Sequence, residues 1–93
     1  MLGTLDSYDM EGKEIGVIFN YFENAGVAAI ELTGNIKLGD TLRFVGGNNT
    51  DFTEVVDSIQ INNKNVESAK SGDKIGVKVS DKLRKGYIVY KVS

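Results

Sequence analysis

Ninety-three residues make room for one domain, and a chain this short buries only about 60–65% of its unfolded surface, so its core has to be compact. Hydrophobic residues at 41% and charged residues at 26% exclude a disordered chain, and no apolar run approaches the roughly 20 residues that span a bilayer, so a globular, cytoplasmic protein is expected. The net charge of −2, with no cysteine and no histidine, leaves no disulfide framework, no thiolate zinc site and no general base of the usual kind at neutral pH.

Residues 1–13 show no sustained period and carry turn formers throughout, which predicts a flexible tail ahead of a domain over residues 14–93. From Ile15 to Phe22 the residues alternate, with Ile15, Val17, Phe19 and Tyr21 on one face and Gly16, Ile18, Asn20 and Phe22 on the other. Both faces are apolar, as in a strand covered on two sides. A loop at Glu23-Asn24-Ala25-Gly26 leads to a second strand over 27–32, whose Ala28, Ile30 and Leu32 point inward. Lys37-Leu38-Gly39-Asp40 reads as a turn, because glycine accepts positive φ and aspartate can bond its own backbone. A third strand over 41–45 then completes a meander, with Leu42 and Phe44 inward.

Gly46-Gly47-Asn48-Asn49-Thr50-Asp51 lacks the lysine and helix start of a phosphate loop and reads as a plain hairpin. Residues 52–62 predict one long strand that bends, with Val55, Ile59 and Ile61 on one face and Phe52 and Val56 on the other. In 63–72, Val66 and Ala69 stand three apart, compatible with one helical turn lying over a barrel end with Val66 as its plug. Strict alternation over 74–79 puts Ile75, Val77 and Val79 inward, and after a basic corner anchored by Leu83 a last strand runs over 87–92. Six strands with almost no helix predict an all-β fold: a single small antiparallel closed β-barrel of six strands or slightly more, since closure removes exposed edges.

Charge is unevenly spread along the chain. Residues 1–59 hold ten acids against three bases, and residues 60–93 eight bases against three acids. Sheet surfaces that mix signs on folding account for this simply, and a local basic face is the functional alternative.

The ordered motifs Gly39-Asp40, Val56-Asp57-Ser58-Ile59-Gln60-Ile61, Gly72-Asp73-Lys74-Ile75-Gly76-Val77 and Leu83-Arg84-Lys85-Gly86-Tyr87 resemble the second domain of translational GTPases, the β-barrel behind the GTP-binding domain of elongation factor Tu. The resemblance covers residues 14–93 and implies the translation-factor domain II fold, standing alone. No GxxxxGK[ST] is present, so no GTP binding is expected. Members of that family hold the aminoacyl-adenosine end of tRNA with help from an acid on the Val-x-Ser-Ile strand; Gln60 stands in that place here.

Two functional readings follow, neither catalytic and neither calling for a metal or cofactor. Glu54 and Asp57, three apart on a strand, fall on opposite faces and cannot share a substrate atom. In the first reading the chain contacts RNA, tRNA or the ribosome, through Lys74, Lys78, Lys82, Arg84 and Lys85 together with Gln60, by salt-sensitive neutralisation of phosphates. In the second it is a protein-interaction or accessory barrel related to those appended to U32 peptidase-like enzymes, with Ile18 and Phe22 as anchors on an uncovered face. A monomer or weak dimer with no membrane partner suits both.

Overall fold

The computed structural model describes residues 12–47 and 49–92. The tail expected over residues 1–13 lies almost wholly outside them. Among these described residues ten strands follow in chain order: β1 Lys13–Phe22, β2 Val27–Leu32, β3 Ile36–Lys37, β4 Thr41–Gly46, β5 Thr50–Val55, β6 Ile59–Ile61, β7 Lys64–Val66, β8 Ser68–Ala69, β9 Lys74–Lys78 and β10 Ile88–Lys91. The fold is all-β and its pairs are antiparallel, as the alternation predicts.

The closed six-stranded barrel is corrected. Eight strands form one sheet in the order β5-β4-β10-β1-β2-β9-β6-β7, and β3 pairs with β8 in a separate ribbon. No ladder joins β5 to β7, so the sheet has two ends. The reason lies in the long strand expected over 52–62. It breaks at Val56-Asp57-Ser58, where Val56 turns into the core and its N–H donates to the Asp40 carbonyl at 2.9 Å. One half, β5, then pairs with β4, while the other, β6, pairs with β9 near the opposite end of the sheet. Side chains help bridge the gap: the Ser80 backbone N–H and Oγ both donate to Glu54 Oε1, at 2.9 and 2.8 Å. The same break parts Val55 from Ile59, which alternation had set on one face: Val55 is 52% exposed and Ile59 is buried.

The helical turn expected within 63–72 is also corrected. Ile61 pairs with Lys64, so Asn62 and Asn63 form a two-residue hairpin loop, both with positive φ (53° and 67°). Asparagine tolerates that left-handed region better than other residues with side chains, and paired positive φ values match the twist of the strands they join. Val66 is half-buried against the core, and Ala69 on β8 pairs with Ile36 on β3.

Strand β1 determines where the candidate site lies. Its register slips twice: Glu14 faces Tyr90 and Gly16 faces Val89 across β10, and Ile18 faces Ile30 and Asn20 faces Ala29 across β2. Each slip inserts one extra residue, Ile15 in the first and Phe19 in the second, and an extra residue breaks the alternation. Ile15 and Ile18 therefore both enter the core, and Tyr21 packs against it, at intervals of three that an unbroken strand cannot produce. Phe44 from β4 fills the centre and stacks on Phe52 of β5, centroids 5.1 Å apart.

The Gly39-Asp40 turn forms as expected. Asp40, only 4% exposed, accepts the Lys37 backbone N–H at 2.9 Å and lies 3.4 Å from Lys37 Nζ and 3.6 Å from Lys91 Nζ. Gly46 and Gly47 lie in the expected β4–β5 hairpin. A Cβ on Gly46 would stand 2.2 Å from the Tyr87 ring, so the absence of a side chain there lets the aromatic lie flat on the strand.

Candidate functional site

The outer faces of β1, β2, β9 and β6 meet in one depression. Across β2 and β9 the register sets Val27 opposite Lys78, Ala29 opposite Gly76 and Glu31 opposite Lys74, while Ile75 and Val77 face the core. Gln60 of β6 continues the Ala29–Gly76 row. The middle of this face is thus built from one methyl group and one hydrogen, which makes it a hollow. A Cβ on Gly76 would approach Val27 Cγ1 to 3.2 Å and begin to fill it.

Large apolar side chains form one wall. Phe19 is 38% and Phe22 50% exposed, and both line the depression. Phe22 stands at the end of β1. Phe19 was expected on the face of Ile15; the first bulge brings Ile18 inward and so sets its neighbour Phe19 outward, and the second bulge parts Ile18 from Phe22. The opposite side is polar, with Gln60, Asn62, Asn63 and Lys74. Lys74 Nζ lies 5.6 Å from the Phe19 ring centroid, a cation–π distance. Gln60 Nε2 donates to Asn65 Oδ1 at 3.2 Å, so its carbonyl oxygen is turned away from that bond. Among the described residues no aspartate or glutamate lines the depression.

The six residues expected to form one basic face are divided. Gln60 and Lys74 line the depression just described, and Lys78 lies exposed on the same strand. Lys82 and Arg84 line a different hollow, with Tyr21, Leu83 and Tyr87. There Lys82 Nζ is 3.1 Å from Glu23 Oε2, so part of the basic corner is neutralised within the molecule. Lys85 is exposed on the same loop.

The pair of apolar anchors is divided too, and Ile18 is corrected. At 1% exposure it is part of the core and offers no surface to a partner, whereas Phe22 remains at the surface. They were placed on one face by alternation, and the extra residue at Phe19 lies between them. Phe19 was missed as a site residue. The signal for it was the interval of three shared by Ile15, Ile18 and Tyr21.

Among the described residues no group of three or more His, Cys, Asp or Glu could hold a metal ion. Glu54 is engaged by Ser80, and the bend at Val56 separates it from Asp57. A further hollow beside the β3–β8 ribbon carries Lys37, Lys70 and Lys91, but Asp73 lies among them and Asp40 pairs with two of the three. That arrangement holds the ribbon to β10. No helix of the described residues is long and apolar enough to cross a membrane.

With this geometry in hand, comparison with known proteins locates the fold. No family model matches the chain. It is 41% identical over 90 residues to an uncharacterized protease of Methanocaldococcus jannaschii, a match that covers 89% of this chain and 22% of the relative. The chain therefore spans about a fifth of that protein's length. Among solved structures it is similar to the C-terminal domain of a Geobacillus thermoleovorans protein described as a U32 peptidase, with a TM-score of 0.80 and 21% identity over 85% of this chain and 91% of that one. A selenomethionine variant of the same domain gives a TM-score of 0.81 and covers 99% of that chain. The fold is thus that of a U32 peptidase C-terminal domain. These matches overturn the expected kinship with translation factor domain II, because the relative is a protease and the structural neighbours are peptidase domains. The turn motifs that carried the resemblance record where a small curled sheet must reverse, a requirement that unrelated β folds share.

Proposed function

We propose that this chain is a non-catalytic, polypeptide-binding accessory domain of a U32 peptidase-like protein. The depression between Phe19, Phe22 and Lys74 carries the reading: exposed aromatics over a floor of small side chains, with no group able to attack a bond. Two solvent-facing phenylalanines side by side in a domain this small cost solubility unless something covers them. The likeness to a fifth of a protease and to a peptidase C-terminal domain supports the association. In such a protein this domain would hold a polypeptide while a separate body carries out any chemistry. The RNA reading rested on the translation-factor resemblance, and of the basic residues that it joined Lys74 lines one hollow while Lys82, already paired with Glu23, and Arg84 line another.

The test uses the isotope-labelled chain and reduced, carboxymethylated α-lactalbumin, an acidic polypeptide that stays unfolded. Amide shifts should gather at Phe19, Phe22, Val27, Lys74 and Gly76 and leave the Arg43 and Asp51 amides still. Replacing both aromatics, Phe19→Ser with Phe22→Ser, should abolish them. Shifts elsewhere, or none, would remove the proposal.

A further inference from the structure

We infer that the depression selects an extended peptide in which a large apolar side chain stands beside a carboxylate, an inference that rests on the polypeptide-binding reading above. The apolar half of the requirement comes from Phe19 and Phe22, whose rings form a shelf at the edge of the hollow. An aromatic or leucine side chain laid on that shelf covers surface that is otherwise in water, the usual source of affinity at such a site. The floor of Ala29 and Gly76 lets the peptide main chain approach the sheet closely, since nothing larger than a methyl group projects there. Along the far side Gln60, Asn62 and Asn63 offer carboxamides, which both donate and accept and so can bond peptide N–H and C=O groups alike.

The charged half comes from Lys74. Its ammonium is 5.6 Å from the Phe19 ring centre, so a group that meets the ammonium lies within one or two residues of a side chain resting on the ring. Among the described residues no carboxylate lines the hollow to repel an incoming acid, and a charge-assisted bond in a partly desolvated hollow is stronger than one in open solvent. Glu31 faces Lys74 across the strands, and it limits the requirement to a local acid rather than a long anionic run.

The same chemistry could stack a nucleobase and hold a phosphate, but the charge of the whole molecule favours the peptide. A nucleic acid gains affinity from each phosphate that a cluster of cations neutralises. Among the described residues one lysine lines this hollow, Lys82 is engaged by Glu23 at 3.1 Å, and the chain carries a net charge of −2 with a pI near 5.0. Long-range attraction for a polyanion is therefore weak, whereas one carboxylate needs only one ammonium.

The probes are the capped heptapeptide Ser-Thr-Asp-Phe-Asp-Thr-Ser, its counterpart with both aspartates replaced by lysine, and a short oligouridylate, each titrated into the isotope-labelled chain. The acidic peptide should shift the Phe22, Ala29, Lys74 and Gly76 amides and bind about tenfold more tightly than the basic one. Lys74→Gln should erase that preference while leaving both peptides on the aromatic shelf, and Lys74→Arg should keep it. Equal binding of the two peptides by the natural chain would overturn the acid requirement and leave the polypeptide-binding reading standing. Tighter, salt-sensitive binding of the oligouridylate would overturn the choice of peptide over nucleic acid. Failure of both peptides while unfolded α-lactalbumin still binds would overturn the inference alone, and failure of all of them would overturn the parent reading with it.

Discussion

The β4–β5 hairpin and the β2–β9 pair are built alike and dressed differently. Both are antiparallel and bury their inner faces, with Leu42 and Phe44 in one, Ile30, Ile75 and Val77 in the other. On the outer face of the hairpin Arg43 and Asp51 form a two-pronged ion pair at 2.8 and 2.7 Å, on the same side of β5 as the exposed Val55. On the outer face of β2 and β9 the central pair is Ala29 and Gly76, and Phe19 and Phe22 stand beside it. One face carries its own ion pair, and the other is the face that the proposed peptide would cover. The difference teaches that binding is written in what a sheet leaves off its surface as much as in what it places there.

The sharpest way to test that contrast is at the two residues of β1 that alternation would treat alike. Ile18→Ala should destabilise the fold by about 2–5 kcal/mol, the usual cost of a fully buried aliphatic side chain, whereas Phe22→Ala should change stability by no more than about 0.5 kcal/mol. Urea unfolding followed by circular dichroism measures both. Comparable losses at the two sites would mean that Phe22 is part of the core and that the outer face is not open.

A smaller loss is expected at Asp40, which ties β3 and β10 to the turn before β4. Asp40→Ala leaves the Lys37 amide without its acceptor and removes the carboxylate that both ammonium groups meet, and should cost about 1–3 kcal/mol in the same assay. Asp40→Asn should recover part of this, because the amide oxygen still accepts the Lys37 N–H. Recovery of none would assign the stabilisation to charge alone.

Gly76→Ala addresses the face of the depression directly. Its backbone φ is not positive, and the new methyl meets only Val27 Cγ1, at 3.2 Å. Stability should stay within about 1 kcal/mol of the natural chain while peptide shifts at the depression weaken. Unchanged peptide binding would mean that the floor of the hollow takes no part.

The smallest effect is expected at the ion pair of the hairpin. The Arg43 guanidinium bonded to Asp51 holds that carboxyl below its ordinary value of 3.8. Since the folded pKa is the lower one, the pair's contribution is complete above the unfolded value and is lost as pH falls through the lowered one. Arg43→Gln should therefore flatten the fall in urea midpoint between about pH 4 and pH 2 and leave neutral stability little changed, as exposed pairs contribute little. An equally steep acid limb in the variant would assign that limb to other carboxylates.

Much of the architecture was legible in the chain itself. The runs at 27–32, 41–45 and 74–79 form strands with the inward residues that their alternation gives, apart from Val79, which is half-buried beyond the end of β9. The Gly39-Asp40 turn and the glycine-rich hairpin fall where glycine and aspartate place them. Leu83 is buried as the anchor of its loop. These features depend on neighbours one to four residues away, and the sequence records such neighbours directly. What it could not record was parity across a bulge. An inserted residue at Phe19 is defined by the Ile30 and Ala29 partners that face it from another strand, and the break at Val56 by a hydrogen bond to the Asp40 carbonyl. Pairings between distant segments decided that Phe19 turns outward, that Ile18 and Phe22 part company, that the sheet keeps two ends and that Lys74 stands apart from Lys82. Local alternation determined the strands; only the register between strands, set by packing the whole core at once, decided which side chains the finished surface presents.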